Sequence, residues 1–135
     1  MNTIIIIILA IIVAPFIVAL FIPKDYAIVR DIVIERPKHE VFDYVKIIRN
    51  QERYSKWVKT DPAMKTELRG TDGTIGFVYA WNGNKQAGEG EQEITGLTDG
   101  ERITMEIRFV RPFKNTAHTY MTTEAVSEHS TKVTW

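Results

Sequence analysis

Three histidines and a run of alternating glutamates are the residues in this chain whose types suit acid–base or metal chemistry. His39, His118 and His129 have no i, i+4 pair among them, and no His-Glu-x-x-His run occurs, so the spacing of a helical zinc site is absent. His39 falls in a first helical turn and His129 in a turn, where an imidazole is expected to be solvated. His118 alternates with Tyr120 in a strand-like stretch, and the pair would line a cavity if that face points inward. Glu89, Glu91 and Glu93 share one side of another strand. Paired carboxylates can serve as general acid and base, but a same-side row of three reads first as a water-facing surface. Cysteine is absent, which excludes thiol chemistry and disulfides. No Gly-x-Ser-x-Gly elbow or Walker loop is present, and Gly88-x-Gly90 opens no helix. The sequence therefore predicts no catalytic constellation, no metal and no cofactor.

A different chemistry, apolar and aromatic, is better represented. Thr74–Trp81 alternates, which puts Ile75, Phe77, Tyr79 and Trp81 on one face against Gly76, Val78 and Ala80. Arg102–Val110 alternates as well, with Ile103, Met105, Ile107 and Phe109 inward and Arg102, Thr104, Glu106 and Arg108 outward. Two such faces read as core, and the same residues can also wall a site for an apolar ligand, with Tyr and Trp supplying polar handles. The expected ligand-binding set is Phe77, Tyr79, Trp81, Met105, Ile107 and Phe109, joined by His118 and Tyr120.

The elements that must position these faces follow from periodicity and breakers. Ile28–Ile34 reads as a strand and Pro37 opens a helix, with Glu40 in its first turn and Val41, Val45 and Ile48 at i, i+4, i+7 beside Phe42. A second short helix is expected from an N-cap at Asn50, bringing Tyr54, Trp57 and Val58 to one side. Beyond Asp61-Pro62 only strands are expected. They are Met64–Arg69, Thr74–Trp81, Glu89–Leu97, Arg102–Val110, Thr116–Val126 and Thr131–Trp135, with turns at Gly70–Gly73, Asn82–Asn84, Thr98–Glu101, Arg111–Lys114 and Ser127–Ser130. The facing of Thr116–Val126 is open, because Thr occupies both parities.

Ahead of all this, residues 4–22 carry no polar side chain, and no charged residue precedes Lys24. As a helix the stretch would span roughly 28 Å, close to the hydrocarbon thickness of a bilayer. No basic residue precedes it and no small-residue cleavage site follows before Pro23, so an uncleaved transmembrane helix over 4–22 is expected, kinked at Pro15. Lys24, Arg30, Arg36 and Lys38 follow it, which by the positive-inside rule puts the soluble domain in the cytoplasm. The formal charge balances at 17 basic and 17 acidic residues, with no basic run, which argues against a nucleic-acid partner.

The stretch Ile32-Val33-Ile34-Glu35-Arg36-Pro37 leading into Glu40-Val41-Phe42-Asp43-Tyr44-Val45 resembles the START-like (SRPBCC) superfamily, and within it the polyketide cyclase/dehydrase and lipid-transport family. Ser55-Lys56-Trp57, Gly88–Ile94 and Thr131–Trp135 are similar to the same pattern, and the resemblance covers residues 26–135. It implies an α+β helix-grip fold, in which a curved antiparallel sheet wraps a long C-terminal helix over a cavity for an apolar ligand. The sequence reaches Trp135 with no such helix, so residues 26–135 are expected to form a START-like domain that is C-terminally incomplete, its inner face left as an apolar patch. The function implied is a membrane-anchored domain binding a hydrophobic small molecule or lipid without catalysis. A cyclase or dehydratase and a protein-interaction module are the alternatives.

Overall fold

A computed structural model describes residues 2–135. The first helix, α1 (Asn2–Phe21), runs unbroken through Pro15 and exposes its apolar side chains all round. Its 20 residues extend about 30 Å at 1.5 Å per residue, and its mean hydropathy of 3.4 meets the length and composition of a membrane span or of a signal sequence. Strand β1 (Asp31–Ile34) follows, shorter than the alternation predicted, with Ile28 and Val29 exposed ahead of it. Seven strands then make one antiparallel sheet in the order β1-β7-β6-β5-β4-β3-β2, with β2 at Lys65–Arg69, β3 at Val78–Asn82, β4 at Glu89–Thr98, β5 at Arg102–Arg111, β6 at Asn115–Ser127 and β7 at Ser130–Thr134. Strands β2 to β7 are successive hairpins, as short polar turns require. Strand β1 closes the far edge on β7, where Arg30 and Trp135 exchange both backbone hydrogen bonds at 2.8 Å.

The sheet is curved, and the pairing shows where. Register shifts lie between Glu89 and Gly90 and between Ile94 and Gly96 on β4, and between Ala125 and Ser127 on β6. An extra residue on one strand of a pair bends that strand and increases its twist. Helix α2 (Lys38–Val45) crosses the concave face and buries Val41, Phe42 and Val45 against β6 and β7. The Pro37 carbonyl accepts the first helical bond from the Val41 amide at 3.1 Å, so Pro37 stands at the N-cap, one place before the expected first turn. Fully burying Phe42 and Ile48 contributes about 1.5–3 kcal/mol each.

The second helical segment departs from expectation. A 3₁₀ turn at Ile48–Asn50 leads into α3, only Gln51–Tyr54, and a second 3₁₀ turn occupies Val58–Thr60. Asn50 forms no side-chain cap; its side-chain Nδ2 donates to the Tyr44 carbonyl at 2.8 Å. Asp72 caps instead. Its two carboxylate oxygens accept from the Ile48 and Arg49 amides at 2.8 and 3.0 Å, pinning the helices to the β2–β3 turn from outside the helical segment. Trp57 and Val58 therefore do not continue a helical stripe with Tyr54.

The two faces of the sheet differ in chemistry. Outside, Arg108 on β5 is held by Glu91 and Glu93 at 2.8 Å and by Glu106 at 2.7 Å, and Arg69 donates to the free oxygen of Glu91. The glutamate row on β4 is thus one side of a cross-strand charge lattice. Inside lie Phe77, Tyr79, Trp81, Ile94, Ile103, Met105, Met121 and Val133.

Candidate apolar cavity

A cavity of about 210 Å³ lies between the concave face and the α3 segment. Its floor is Tyr79 and Trp81 of β3, Gln92 of β4, and Ile107 and Phe109 of β5. Its roof is Gln51 and Ser55, with Trp57, Val58 and Met64 from the loop beyond, and Trp135 closes one side. The floor follows from register. Tyr79 pairs with Gln92 and Gln92 with Ile107, while Trp81 pairs with Gly90 and Gly90 with Phe109, so two rows of paired residues point the same way. Gly90 leaves room for the Trp81 indole, which meets Phe109 edge-on with ring centroids 5.9 Å apart. The indole N–H donates to the Ala87 carbonyl at 3.1 Å, so the ring turns only its apolar surface to the cavity.

Two side chains, Asp61 and Asn84, fix the loop part of the roof. Asp61 accepts from the Asn84 amide at 2.8 Å and from the Ala63 amide at 3.0 Å, and the Asn84 side chain donates to the Thr60 carbonyl at 3.1 Å. These bonds tie the loop carrying Trp57, Val58 and Met64 to the β3–β4 connection. That connection is longer than the Asn-Gly signal predicted, because Asn84 Oδ1 accepts from the Gln86 and Ala87 amides and folds a second turn.

Polar groups at the cavity are few and uncharged. Gln51 opens α3 and Ser55 ends it, four residues on and so on the same side, and both are buried. Gln92 Nε2 lies 2.8 Å from Met105 Sδ, a weak acceptor. Gln51 Nε2 is buried with no hydrogen-bond partner among the described residues. At the rim the Tyr79 hydroxyl donates to Glu52 Oε1 at 3.2 Å, and burial first, with the Glu52 charge second, holds the phenol pKa well above its usual range. Tyr79 is accordingly a hydrogen-bond donor here and not a base.

The structure divides the sequence-predicted residues into three groups. Tyr79, Trp81, Ile107 and Phe109 line the cavity. Phe77 and Met105 share their face but are packed into the core beside it. His118 and Tyr120 are corrections, since both lie on the outer face. Register pairs His118 with Glu106 and Tyr120 with Thr104, both outward, so the parity of β6 that points inward is Ala117, Thr119, Met121 and Thr123. The His118 imidazole sits 3.9 Å from Glu106 and Tyr120 lies beneath the Arg102 guanidinium at 4.0 Å. Ile75 is also corrected. β3 begins only at Val78, and Ile75 is exposed in the preceding turn. Gln92 was legible as the residue alternating with the outward glutamates and Ser55 entered only through the family pattern, whereas Gln51 and the facing of Met64 carried no sequence signal.

Beyond Trp135 the concave face continues as an open apolar groove of about 420 Å³, lined by Ile32, Ile34, Tyr44, Val45, Met121 and Val133 among others. Trp135 stands between groove and cavity and borders both.

No protein-family model matches the chain and no curated protein matches it. Solved structures do. A Chromobacterium violaceum protein is similar over 79% of this chain and 75% of its own, with a TM-score of 0.54 at 16% identity. A Thermobifida fusca protein reaches a TM-score of 0.59 at 14% identity, over 80% of this chain and 69% of its own. Truncated norcoclaurine synthase from Thalictrum flavum also reaches 0.59, at 7% identity, over 84% of this chain and 76% of that one. At such identities the likeness is one of fold, and the strand order and concave-face helices agree with it: the chain has the α+β helix-grip fold.

Proposed function

We propose that this protein binds a hydrophobic small molecule in the cavity under α3, as a START-like domain over residues 26–135 held at a membrane by α1. The observation that carries the reading is the cavity itself, about 210 Å³ walled by Tyr79, Trp81, Ile107 and Phe109 and bordered at Trp135 by an apolar groove. A concave, mostly apolar site with an aromatic floor and a few polar groups is the kind of place where a small apolar molecule binds. An apolar cavity of about 150 Å³ accommodates a benzene, which sets the scale of the occupant at one or two rings, or the end of a longer apolar chain. The anchor supports the same reading, since a domain tied by residues 22–30 to a bilayer sits beside a reservoir of apolar molecules. The basic residues after α1 favour a cytoplasmic domain.

Two measurements test this. Naphthalene titrated into the full chain in mild detergent is expected to bind saturably, and Val58→Trp, which fills the cavity from its roof, to abolish that binding while the circular dichroism is kept. Uptake that never saturates, or that Val58→Trp leaves unchanged, would remove the cavity from the function. For the anchor, N-terminal sequencing of the membrane fraction should begin at or near Met1. A mature chain beginning near Lys24 would identify α1 as a cleaved leader.

A further inference from the structure

The two ends of the sheet differ in chemistry as much as its two faces do. Antiparallel order brings the start of β1, the end of β7, the β3–β4 connection (residues 83–88) and the β5–β6 turn (residues 112–114) to one end. The β2–β3, β4–β5 and β6–β7 turns lie at the other. The chain leaving α1 enters at the first end, through residues 22–30, because Arg30 pairs with Trp135. The two sheet turns there carry Lys85 and Lys114 and no carboxylate, whereas the three far turns carry Asp72, Asp99, Glu101 and Glu128 and no Lys or Arg. The roof loop, tied to the β3–β4 connection, adds Lys56 and Lys59, and its one acid, Asp61, is occupied by the Ala63 and Asn84 amides. None of these four lysines is ion-paired among the described residues. Exposed aromatics follow the same division. Phe113, in the β5–β6 turn, is 68% exposed and Trp57 of the roof loop 46%, while the far turns expose Ile75 but no aromatic ring.

We propose that this end of the domain is a contact surface for an anionic lipid bilayer, with Phe113 and Trp57 seated among the headgroups and Lys56, Lys59, Lys85 and Lys114 over their phosphates. The inference goes beyond ligand binding and rests on the reading of α1 as a membrane anchor. Residues 22–30, fully extended, reach at most about 30 Å, so the anchor keeps the end at which they enter close to the bilayer. Aromatic rings favour the boundary between headgroups and acyl chains. A lysine near an anionic surface gains about fivefold in occupancy at low salt, and a carboxylate there is repelled. The tether alone would let the domain tumble. The charge asymmetry selects the orientation, basic end down and acidic end toward water. The cavity lies toward the same end, since Trp57, Met64, Phe109 and Trp135 line it, so this contact brings the cavity to the lipid.

The chain has no cysteine, so a single introduced thiol carries a fluorescent label without other change. The full chain in lipid nanodiscs is labelled through Gln86→Cys on the β3–β4 connection, Ile75→Cys at the far end, or Val13→Cys within α1; the first two positions are exposed. Quenching by spin-labelled lipid is read in phosphatidylcholine alone and in phosphatidylcholine mixed with phosphatidylglycerol. The label at position 86 should be strongly quenched in the anionic bilayer and less in the neutral one, and the label at position 75 little in either. Raised salt should weaken the quenching at position 86. Phe113→Asp should weaken it too, and Lys85→Gln combined with Lys114→Gln should lower the contact equilibrium by up to about 25-fold at low salt. Circular dichroism confirms that these exposed turn variants keep the fold. Equal quenching at positions 86 and 75, with the label at position 13 quenched from deep in the acyl chains, overturns the proposal and leaves the anchor reading standing. Quenching at position 86 that ignores lipid charge and the lysine substitutions overturns it as well. A label at position 13 that acyl-chain quenchers do not reach overturns the anchor reading, and this proposal with it.

Discussion

The Tyr79 hydroxyl donates to Glu52 Oε1 across 3.2 Å, and this bond joins the cavity floor on β3 to the one-turn helix that roofs it. Gln51, the residue before Glu52, is thereby held over the floor by a contact that is not itself inside the cavity. A roof of one helical turn has little stability of its own, since nucleating a helix is unfavourable and the gain comes only with further turns. The position of α3 therefore depends on tertiary bonds such as this one and the Asp72 cap.

Removing only the hydroxyl separates the two roles of Tyr79. Tyr79→Phe should cost about 1 kcal/mol, the net value of one hydrogen bond, and leave the cavity floor in place. Tyr79→Ala should cost roughly 3–5 kcal/mol, as for aromatic truncations in cores. Urea unfolding of both variants, followed by naphthalene titration, checks the expectation; equal losses for the two would show that the ring is not packed.

Asp72 is expected to matter more than its turn position suggests. Asp72→Ala removes both acceptors from the Ile48 and Arg49 amides and should lower stability by roughly 1–2 kcal/mol. Hydrogen exchange of those two amides should accelerate well beyond the rest of the helices. Unchanged protection would mean that Asp72 does not hold the segment.

Gly90 is required by two neighbours at once. A Cβ there would stand 2.5 Å from the Arg108 carbonyl oxygen and 2.9 Å from the Trp81 ring. Gly90→Ala should destabilise by roughly 1–3 kcal/mol through overpacking and push the indole toward the cavity, weakening naphthalene binding. Thermal unfolding together with Trp fluorescence reports both effects, and an unaltered spectrum with full binding would contradict the placement of Trp81.

The outer charge lattice sets an acid limit. Hydrogen bonding from Arg108 first, aided by Arg69, holds the Glu91 carboxyl below its ordinary value of 4.5. A carboxylate with a depressed folded pKa contributes stability that is present above the unfolded value and is lost as pH falls through the folded one. The thermal midpoint should accordingly drop as pH falls below about 4.5. Arg108→Gln should be less stable than the parent at pH 7, where Glu91, Glu93 and Glu106 would face one another with only Arg69 on Glu91 to offset them, and the gap should narrow on acidification. A gap independent of pH would assign the role of Arg108 to packing alone.

Much of this protein is written locally. Alternation in Arg102–Val110 determined which side of β5 is apolar, because successive strand residues point to opposite faces whatever the sheet does. The 20-residue apolar helix and the Val41–Phe42–Val45 stripe are local in the same sense. What tertiary structure decided lies where local signals were balanced or silent. His118 and Tyr120 face outward because β6 takes its facing from register with β5, and its threonines gave neither parity an apolar preference. The second helix ends at Tyr54, where Ser55 turns to extended backbone, and the free amides of the turn ahead of it are taken by a carboxylate 24 residues downstream of Ile48 and not by Asn50. Nothing in the sequence singles out Gln51. Only the fold, by laying that turn over Tyr79 and Gln92, buries its side chain beside an apolar cavity.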